Sequence, residues 1–394
     1  MILILILFAF SQGIHGNVLY TLSEFKNSTT VQVDPGSTLY ISAKSELRSL
    51  LEKITIETWE VEMNAFLLSS LYQNEELLKD GLPLNATEVI ISTNVPESLL
   101  DDLKDSYLFI ANSTYSKNLV VYDLLNQTID FNDTEELHTA VFFSFKDDVE
   151  LNPEYHARVK MNQIDKDGKL SININLPADN VDCTSVFNNP LGYYVGPNLT
   201  TWHFSNVEPL SIKHQIFTLS LQGIQKITVD SFWDNSNTQN TTAGTTTGLV
   251  SYNEKFDNQE LVRFSIDQNR YAEIGYGFYY NMTNQVNITM SGTGSTGYSG
   301  LGNNGSANKG VISFSPFPYE IMTVETPADN TGFMYLQYFT VELEAMTTTE
   351  VTTPTITSTT PSTTTSYQST TPKSTSSSDF VSSIVMSAIL FCFV

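Results

Sequence analysis

Apolar and polar residues alternate with a period of two along most of this chain. Val31 and Val33, then Leu39 and Ile41, flank Asp34-Pro35-Gly36-Ser37. Proline fixes φ there and glycine is free to take a positive value, so the pattern predicts two strands joined by a hairpin turn. Leu170, Ile172, Ile174 and Leu176 line one face of a further run, and Phe217, Leu219 and Leu221 another. In the second half Val262, Phe264 and Ile266 alternate, as do Ile274, Tyr276, Phe278 and Tyr280, and Phe333, Tyr335, Phe339, Val341 and Leu343 fall on one side of a last run. Such runs predict half-buried strands. Helical spacing is confined to the first half. Pro96 to Tyr107 opens with Pro and Glu and spaces Leu99, Leu100 and Leu103 on one face, and a helical turn is expected near Ser45 to Leu51. The expected class is mainly β with minor helix, in two antiparallel β-sandwich domains.

The expected boundary between the two is Leu176 to Asp182, LPADNVD, where a strand ends in Pro and acidic residues; it divides an N-terminal unit, 17–176, from a C-terminal one, 183–345. Within the second, SGTGSTGYSGLGNNGSANKG at 291–310 reads as a long loop between strands.

Both ends of the chain break the alternation. Met1 to Phe10, MILILILFAF, is an unbroken apolar run followed by small residues at Ser11, Gly13 and Gly16, the pattern of a signal peptide over 1–16. It is too short to span a membrane. From Thr347 to Ser378, 23 of 32 residues are Ser or Thr, with Pro interspersed. That composition cannot form a core and predicts an O-glycosylated stalk over 346–378. Behind it, Ser374, Ser376, Ser377 and Ser378 supply small residues for lipid attachment, and residues 379–394 supply a short polar spacer and an apolar end. The apolar part, Phe380 to Val394, includes three serines and falls short of the roughly 20 apolar residues of a spanning helix. The pattern predicts a glycolipid (GPI) anchor in the outer leaflet of the membrane, with a single-pass or secreted protein as the alternative.

Composition agrees with an extracellular address. Hydrophobic residues make up 41% and aromatics 11%, enough to bury a sizeable core. The formal charge of -24 repels phosphate backbones, which argues against a nucleic-acid partner. Asn-x-Ser/Thr triplets occur at Asn27, Asn85, Asn112, Asn126, Asn132, Asn198, Asn240, Asn281, Asn287 and Asn304, spread over both halves. With Cys392 in the discarded tail, Cys183 stands alone in the mature chain and no internal disulfide is possible. The thiol is either buried and inert or a bridge to a second chain.

No catalytic pattern emerges. His138, His156, His203 and His214 form no zinc-ligand spacing. Gly297-Tyr298-Ser299-Gly300-Leu301 has Leu where a nucleophile elbow requires Gly, and Gly292, Gly294 and Gly297 fit G-x-G-x-x-G without a helix to follow. Asp165-Lys166-Asp167-Gly168 reads as a tight turn, since a calcium loop would place Gly sixth and Glu twelfth. A non-enzymatic protein without a cofactor is expected. Aromatic residues cluster in the second unit, and Trp233 and Tyr279 are the candidates for a binding surface toward a protein or glycan ligand.

One stretch has a family likeness. Asp182-Cys183, then NNPLGYYVGPNLTTWHF with Trp202, IFTLSLQGIQKITVDSF, and RFSIDQNRYAEIGYGFYYNM with Gly277-Phe278 resemble the CUB domain over residues 182–282. The whole order of signal, β units, stalk and lipid tail resembles the nematode CUB-like surface proteins. The resemblance implies a jelly-roll-like sandwich that binds partners through loops, in innate defence or stress responses. Asp230 and Asp234 lie near the positions where some CUB domains bind calcium, without matching flanks. Recognition at the cell surface is the leading expectation, and a mucin-like coat component without a specific ligand is the alternative.

Overall fold

The computed structural model describes residues 16–345, apart from 74–77, 115–117, 125–127, 133–137, 146–156, 177–183, 196–197, 224, 232–237, 254–258, 267–269, 293–294, 302–307, 315–318 and 327–330. The expected leader up to residue 15, the stalk, Ser374, Ser376, Ser377, Ser378, Cys183, Trp233, Asn126 and Asn304 lie outside these residues.

The described residues are mainly β, in seven sheets, most of them antiparallel. They sort along the chain into three successive sandwiches. In the first, Val18–Thr21, Tyr107–Ala111, Ser37–Ser42 and Leu82–Leu84 form one sheet, and Ser28–Gln32, Glu88–Thr93, Ile54–Glu57 and Glu62–Asn64 the sheet facing it. Leu39, Ile41, Leu108 and Ile110 from one meet Val31, Ile54, Ile56, Val89 and Ile91 from the other in a common core.

The Asp34–Ser37 turn forms as expected, with Gly36 at φ 87 and Ser37 N donating to Asp34 O at 3.1 Å. It is not a hairpin, however. Ser28–Gln32 pairs with Glu88–Thr93, whereas Ser37–Ser42 pairs with Tyr107–Ala111 and Leu82–Leu84. The turn carries the chain across the core from one sheet to the other, which lets Val31 and Val33 face Leu39 and Ile41. The turn at Asp165–Gly168, closed by Gly168 N to Asp165 O at 2.9 Å, likewise joins strands of facing sheets.

The second sandwich sets a five-stranded sheet, in the order Thr184–Asn189, Lys169–Ile174, Ile216–Gln222, His138–Ser144 and Leu119–Leu124, against Thr128–Asn132, Gln225–Asp230, Ala157–Ile164 and Leu210–Ile212. The boundary expected at 176–183 runs through it: Ile172 pairs with Phe187 on one side and Leu219 on the other. The third sandwich faces Thr246–Asn253, Gly332–Ala345, Arg270–Met282 and Asn308–Phe314 against Thr238–Asn240, Gln259–Arg263, Tyr319–Glu325, Val286–Gly292 and Ser295–Leu301. Strands of the stretch that carries the CUB likeness are therefore shared between the second and third sandwiches.

The Gly-rich run at 291–310 is not the long loop expected from its composition. Ser295–Leu301 is a strand, paired with Val286–Gly292 so that Val286 stands opposite Leu301. Glycine keeps both backbone hydrogen-bonding groups, and at a sheet edge the ladder needs no side-chain packing to form.

The helical segments are short. Glu97–Leu103 is a 3-10 helix rather than an α-helix, so residues three apart lie in line. Leu100 and Leu103 are buried, whereas Leu99 is 38% exposed. Ser45–Leu47 and Arg48–Leu51 make the expected helical turn, and Ala65–Ser69 is a further helix, capped by Asn64 Oδ1 accepting from Leu67 N at 2.9 Å. Among the described residues no helix is long and apolar enough to cross a membrane.

Adjacent sandwiches share apolar cores. Leu19, Tyr40 and Phe109 on the back of the first sandwich pack with Val121, Val141, Phe143 and Ile216 on the back of the second. Leu249, Tyr335, Phe339 and Val341 of the third join the core of the second, while Met334, Leu336 and Tyr338 on the opposite face of the same strand enter the third core.

Candidate functional site

The triplets of the sequence acquire positions on this frame. Asn27 is exposed in a left-handed turn at φ 62, and Asn85 is exposed in the connection that follows Leu82–Leu84. Asn198 begins the hairpin strand Asn198–Trp202, Asn240 ends Thr238–Asn240, and Asn281 lies near the end of Arg270–Met282; all three are exposed. Asn287 is half-buried, and only the backbone of Asn132 is described.

Asn112 differs. It is 5% exposed, its Nδ2 donates to Asp34 Oδ2 at 3.0 Å, and its Oδ1 accepts from Thr114 N at 2.9 Å. With its side chain buried, the amide has no room for a sugar and serves to fasten the Asp34 turn.

Of the candidate aromatic pair Trp233 and Tyr279, Trp233 lies outside the described residues. Tyr279 is half-buried, with its ring 5.4 Å from Phe333 and packed against the second core. Asp230 accepts a two-pronged bond from Arg158, Nε at 3.2 Å and a terminal nitrogen at 2.9 Å. Its carboxylate thus has a fixed cationic partner in the sheet. Among the described residues no group of three or more His, Cys, Asp and Glu gathers as a metal site.

Two buried polar clusters escaped the sequence reading. In the first, Lys79 Nζ lies 2.9 Å from Asp123 Oδ2, with both side chains 0% exposed. Tyr72 Oη donates to the same oxygen at 2.7 Å, Ser42 Oγ donates to Oδ1, and Lys79 Nζ also donates to Ser69 O at 2.5 Å. The ammonium sits 4.4 Å from the Tyr72 ring centroid. Burial pushes the Lys79 pKa down, opposed by the Asp123 charge; burial and then Asp123 push the Tyr72 phenol up. Ser42 belongs to the first sandwich and Asp123 to the second, so this cluster is a polar clamp between them, with its charged pair buried.

In the second cluster Glu208, 5% exposed, accepts from Thr242 N at 2.6 Å, Thr242 Oγ1 at 3.0 Å and Thr246 Oγ1 at 3.1 Å. Glu208 precedes the strand Leu210–Ile212 of the second sandwich, and Thr242 and Thr246 lie at the start of the third, so the cluster ties these two sandwiches together. Nearby, Gln337 bonds the backbone of Asn188 in both directions, at 2.9 and 2.8 Å. Tyr193 Oη donates to Glu273 at 2.8 Å; burial, then this bond, pushes its pKa up. These side chains are spaced far apart in sequence and sit among surface-like neighbours, so no local signal marks them.

No curated protein matches this sequence. Among solved structures, the chain is similar to an uncharacterized protein of Listeria monocytogenes EGD-e at 8% identity and a TM-score of 0.19, over 82% of this chain and 29% of that one. It is similar to the cycloalternan-forming enzyme from Listeria monocytogenes at 8% identity and a TM-score of 0.17, again over 82% and 29%. Against tripeptidyl peptidase 2 the values are 9% and 0.19, over 84% of this chain and 32% of that one. The chain spans about a third or less of the length of each, 29% to 32%. The family described as "Transmembrane glycoprotein" matches residues 34–391, which take in almost all of the described body and the Ser/Thr-rich and apolar segments behind it. A match of that extent makes the chain a member of this transmembrane glycoprotein family.

Proposed function

We propose that the protein is a non-enzymatic extracellular glycoprotein that holds its β body away from the outer leaflet and offers it for recognition, in innate defence or stress responses. The observation that carries this reading is the placement of its glycan-acceptor triplets. Asn27 and Asn85 on the first sandwich, Asn198 beside the second, and Asn240 and Asn281 on the third are all exposed, so sugars there would coat each sandwich without disturbing a core. The Ser/Thr-rich tract, extended by packed sugars at roughly 3 Å per residue, would act as the stalk. The CUB likeness of residues 182–282 supports a recognition role as family association, not as chemistry.

For the anchor we favour lipid attachment among Ser374, Ser376, Ser377 and Ser378 over a spanning helix, on the three serines that interrupt the apolar residues from Phe380 onward. The family's description as transmembrane favours a spanning segment. Phosphatidylinositol-specific phospholipase C applied to expressing cells separates them: release supports the lipid anchor, and retention with Val394 intact by mass spectrometry overturns it.

Peptide mapping of the secreted body tests the rest. Glycans are expected at the five exposed positions and not at Asn112; a body without glycans would sink the reading. Saturable binding of the Asn17–Ala345 fragment on a glycan array or a cell surface supports recognition, whereas its absence across both favours a coat component.

A further inference from the structure

The strands Ile54–Glu57 and Glu62–Asn64 are joined by a tight turn, held by Thr58 N donating to Val61 O at 2.8 Å and by Thr58 Oγ1 accepting from Val61 N at 3.1 Å. The turn carries Trp59, whose side chain is 75% exposed, more than any other large hydrophobic residue described. A singly exposed apolar residue needs no explanation by itself. The neighbourhood of this one does point to an occupant. In its pairing with the neighbouring strand Glu88–Thr93, Glu57 stands opposite Ile90, so the hairpin tip projects past the start of that strand toward residues 85–87. There Asn85 Nδ2 donates to Glu60 Oε2 at 3.4 Å. Asn85-Ala86-Thr87 is an acceptor triplet, with Asn85 exposed.

An N-linked sugar replaces one of the two hydrogens on Nδ2 and leaves the other, so the bond to Glu60 survives glycosylation. The first sugar then departs from an atom already in contact with the residue next to Trp59. We infer that the glycan of Asn85 lies over the Trp59 indole, the C–H face of its first N-acetylglucosamine residues against the ring. An indole offers a broad apolar face with a negative quadrupole, which suits the polarised C–H groups of a sugar. Glu57, Glu60 and Glu62, all exposed around the turn, supply acceptors for the sugar hydroxyls. Trp59 and Asn85 together form a glycan-docking site within the chain, which covers the indole and fixes the direction in which the glycan leaves the first sandwich.

This inference rests on the reading of the protein as N-glycosylated, and its test keeps the two apart. The full chain is produced in a glycosylating eukaryotic host, and occupancy at Asn85 is measured by peptide mapping. Thermal midpoints are then compared for wild type, Trp59→Ala, Thr87→Ala and the double variant. Thr87→Ala removes the acceptor triplet and keeps the Asn85–Glu60 bond. Trp59→Ala is expected to lower the midpoint by about 1–3 °C in the glycosylated chain and by less in the Thr87→Ala background. The Trp59 contribution to the emission spectrum, taken as wild type minus Trp59→Phe, is expected at shorter wavelength when the glycan is present. Equal effects of Trp59→Ala in both backgrounds, with Asn85 occupied, overturn the inference. An unoccupied Asn85 among occupied sites overturns it too, and a chain without any N-glycan overturns the reading beneath it. If the variants fold poorly, enzymatic removal of the glycan from wild type and from Trp59→Phe supplies the same spectral comparison.

Discussion

Asp123 and Lys79 set the balance of forces in the polar clamp. Each charge is fully removed from water, and each is compensated by the other together with Tyr72, Ser42 and the Ser69 carbonyl. Desolvating two charges costs much of what their attraction returns, so the pair adds little net stability. Removing one partner is another matter, because it strands the other in an apolar interface. Asp123→Ala is expected to lower stability by about 3–5 kcal/mol in urea unfolding. The joint replacement Lys79→Met with Asp123→Leu is expected to lose clearly less, since neither charge remains; a double variant as weak as Asp123→Ala would contradict this account. Nothing in the local sequence Leu78-Lys79-Asp80-Gly81 distinguishes this lysine from one on the surface. Core positions were legible where alternation was strict, as for Leu170, Ile172 and Ile174, each at most 3% exposed. Buried polar groups are chosen by partners distant in sequence, and alternation does not record those. The acceptor triplets were legible as a set, but the burial of Asn112 depends on Asp34, 78 residues away.

Strands were easier to find than their neighbours. A period of two specifies which side chains face inward, and it is equally satisfied whether a turn folds the chain back in one sheet or passes it to the facing sheet. This is why the Asp34–Ser37 turn was recognisable and its topology was not. The strand Gly332–Ala345 shows the same limit from another side. Its odd-numbered residues Tyr335, Phe339 and Val341 were expected in a core, whereas the burial of Met334, Leu336 and Tyr338 on the opposite face makes it a fully enclosed strand between two cores. Its start depends on Gly332, at φ 111 and opposite Met282. A Cβ there would lie 2.0 Å from the Asn281 carbonyl oxygen, a backbone atom with little freedom to move. Gly332→Ala is therefore expected to cost at least the roughly 1–3 kcal/mol of a disfavoured backbone conformation. Gly310→Ala in Asn308–Phe314 of the same sheet provides the comparison. Its Cβ would meet the end of the Phe278 ring at 2.8 Å, and a side chain can turn aside, so the loss should be smaller. Equal thermal midpoints for the two variants would remove the argument from backbone geometry.

At the scale of the whole molecule, the arrangement of strands decides where the chain can be divided. The strands group by sequence as 18–111, 119–230 and 238–345, and each group closes one sandwich. The composition shift at 176–182 suggested a division there, because a strand does end in Pro and acidic residues; a surface connection inside a sandwich has the same composition as a linker between two. Division at that point would leave Lys169–Ile174 and His138–Ser144 without Ile216–Gln222, the strand that hydrogen-bonds to both. It would also take Gln225–Asp230 from between Thr128–Asn132 and Ala157–Ile164 in the facing sheet. Phe142, whose ring stacks on Phe217 at 4.9 Å, would lose its cover. A fragment of residues 17–176 is thus expected to lack fixed aromatic packing, with weak near-ultraviolet circular dichroism and strong binding of a hydrophobic dye. A fragment of residues 17–230 keeps every strand of the first two sandwiches together with their shared core, and is expected to retain a cooperative thermal transition. It gives up the contributions of Leu249, Tyr335, Phe339 and Val341 to the second core and the bonds of Gln337 to Asn188 and of Thr242 and Thr246 to Glu208, so its midpoint should fall below that of 17–345. Cooperative unfolding of 17–176 would mean that its strands can complete a sandwich without Ile216–Gln222, and the three-part division would then have to be abandoned.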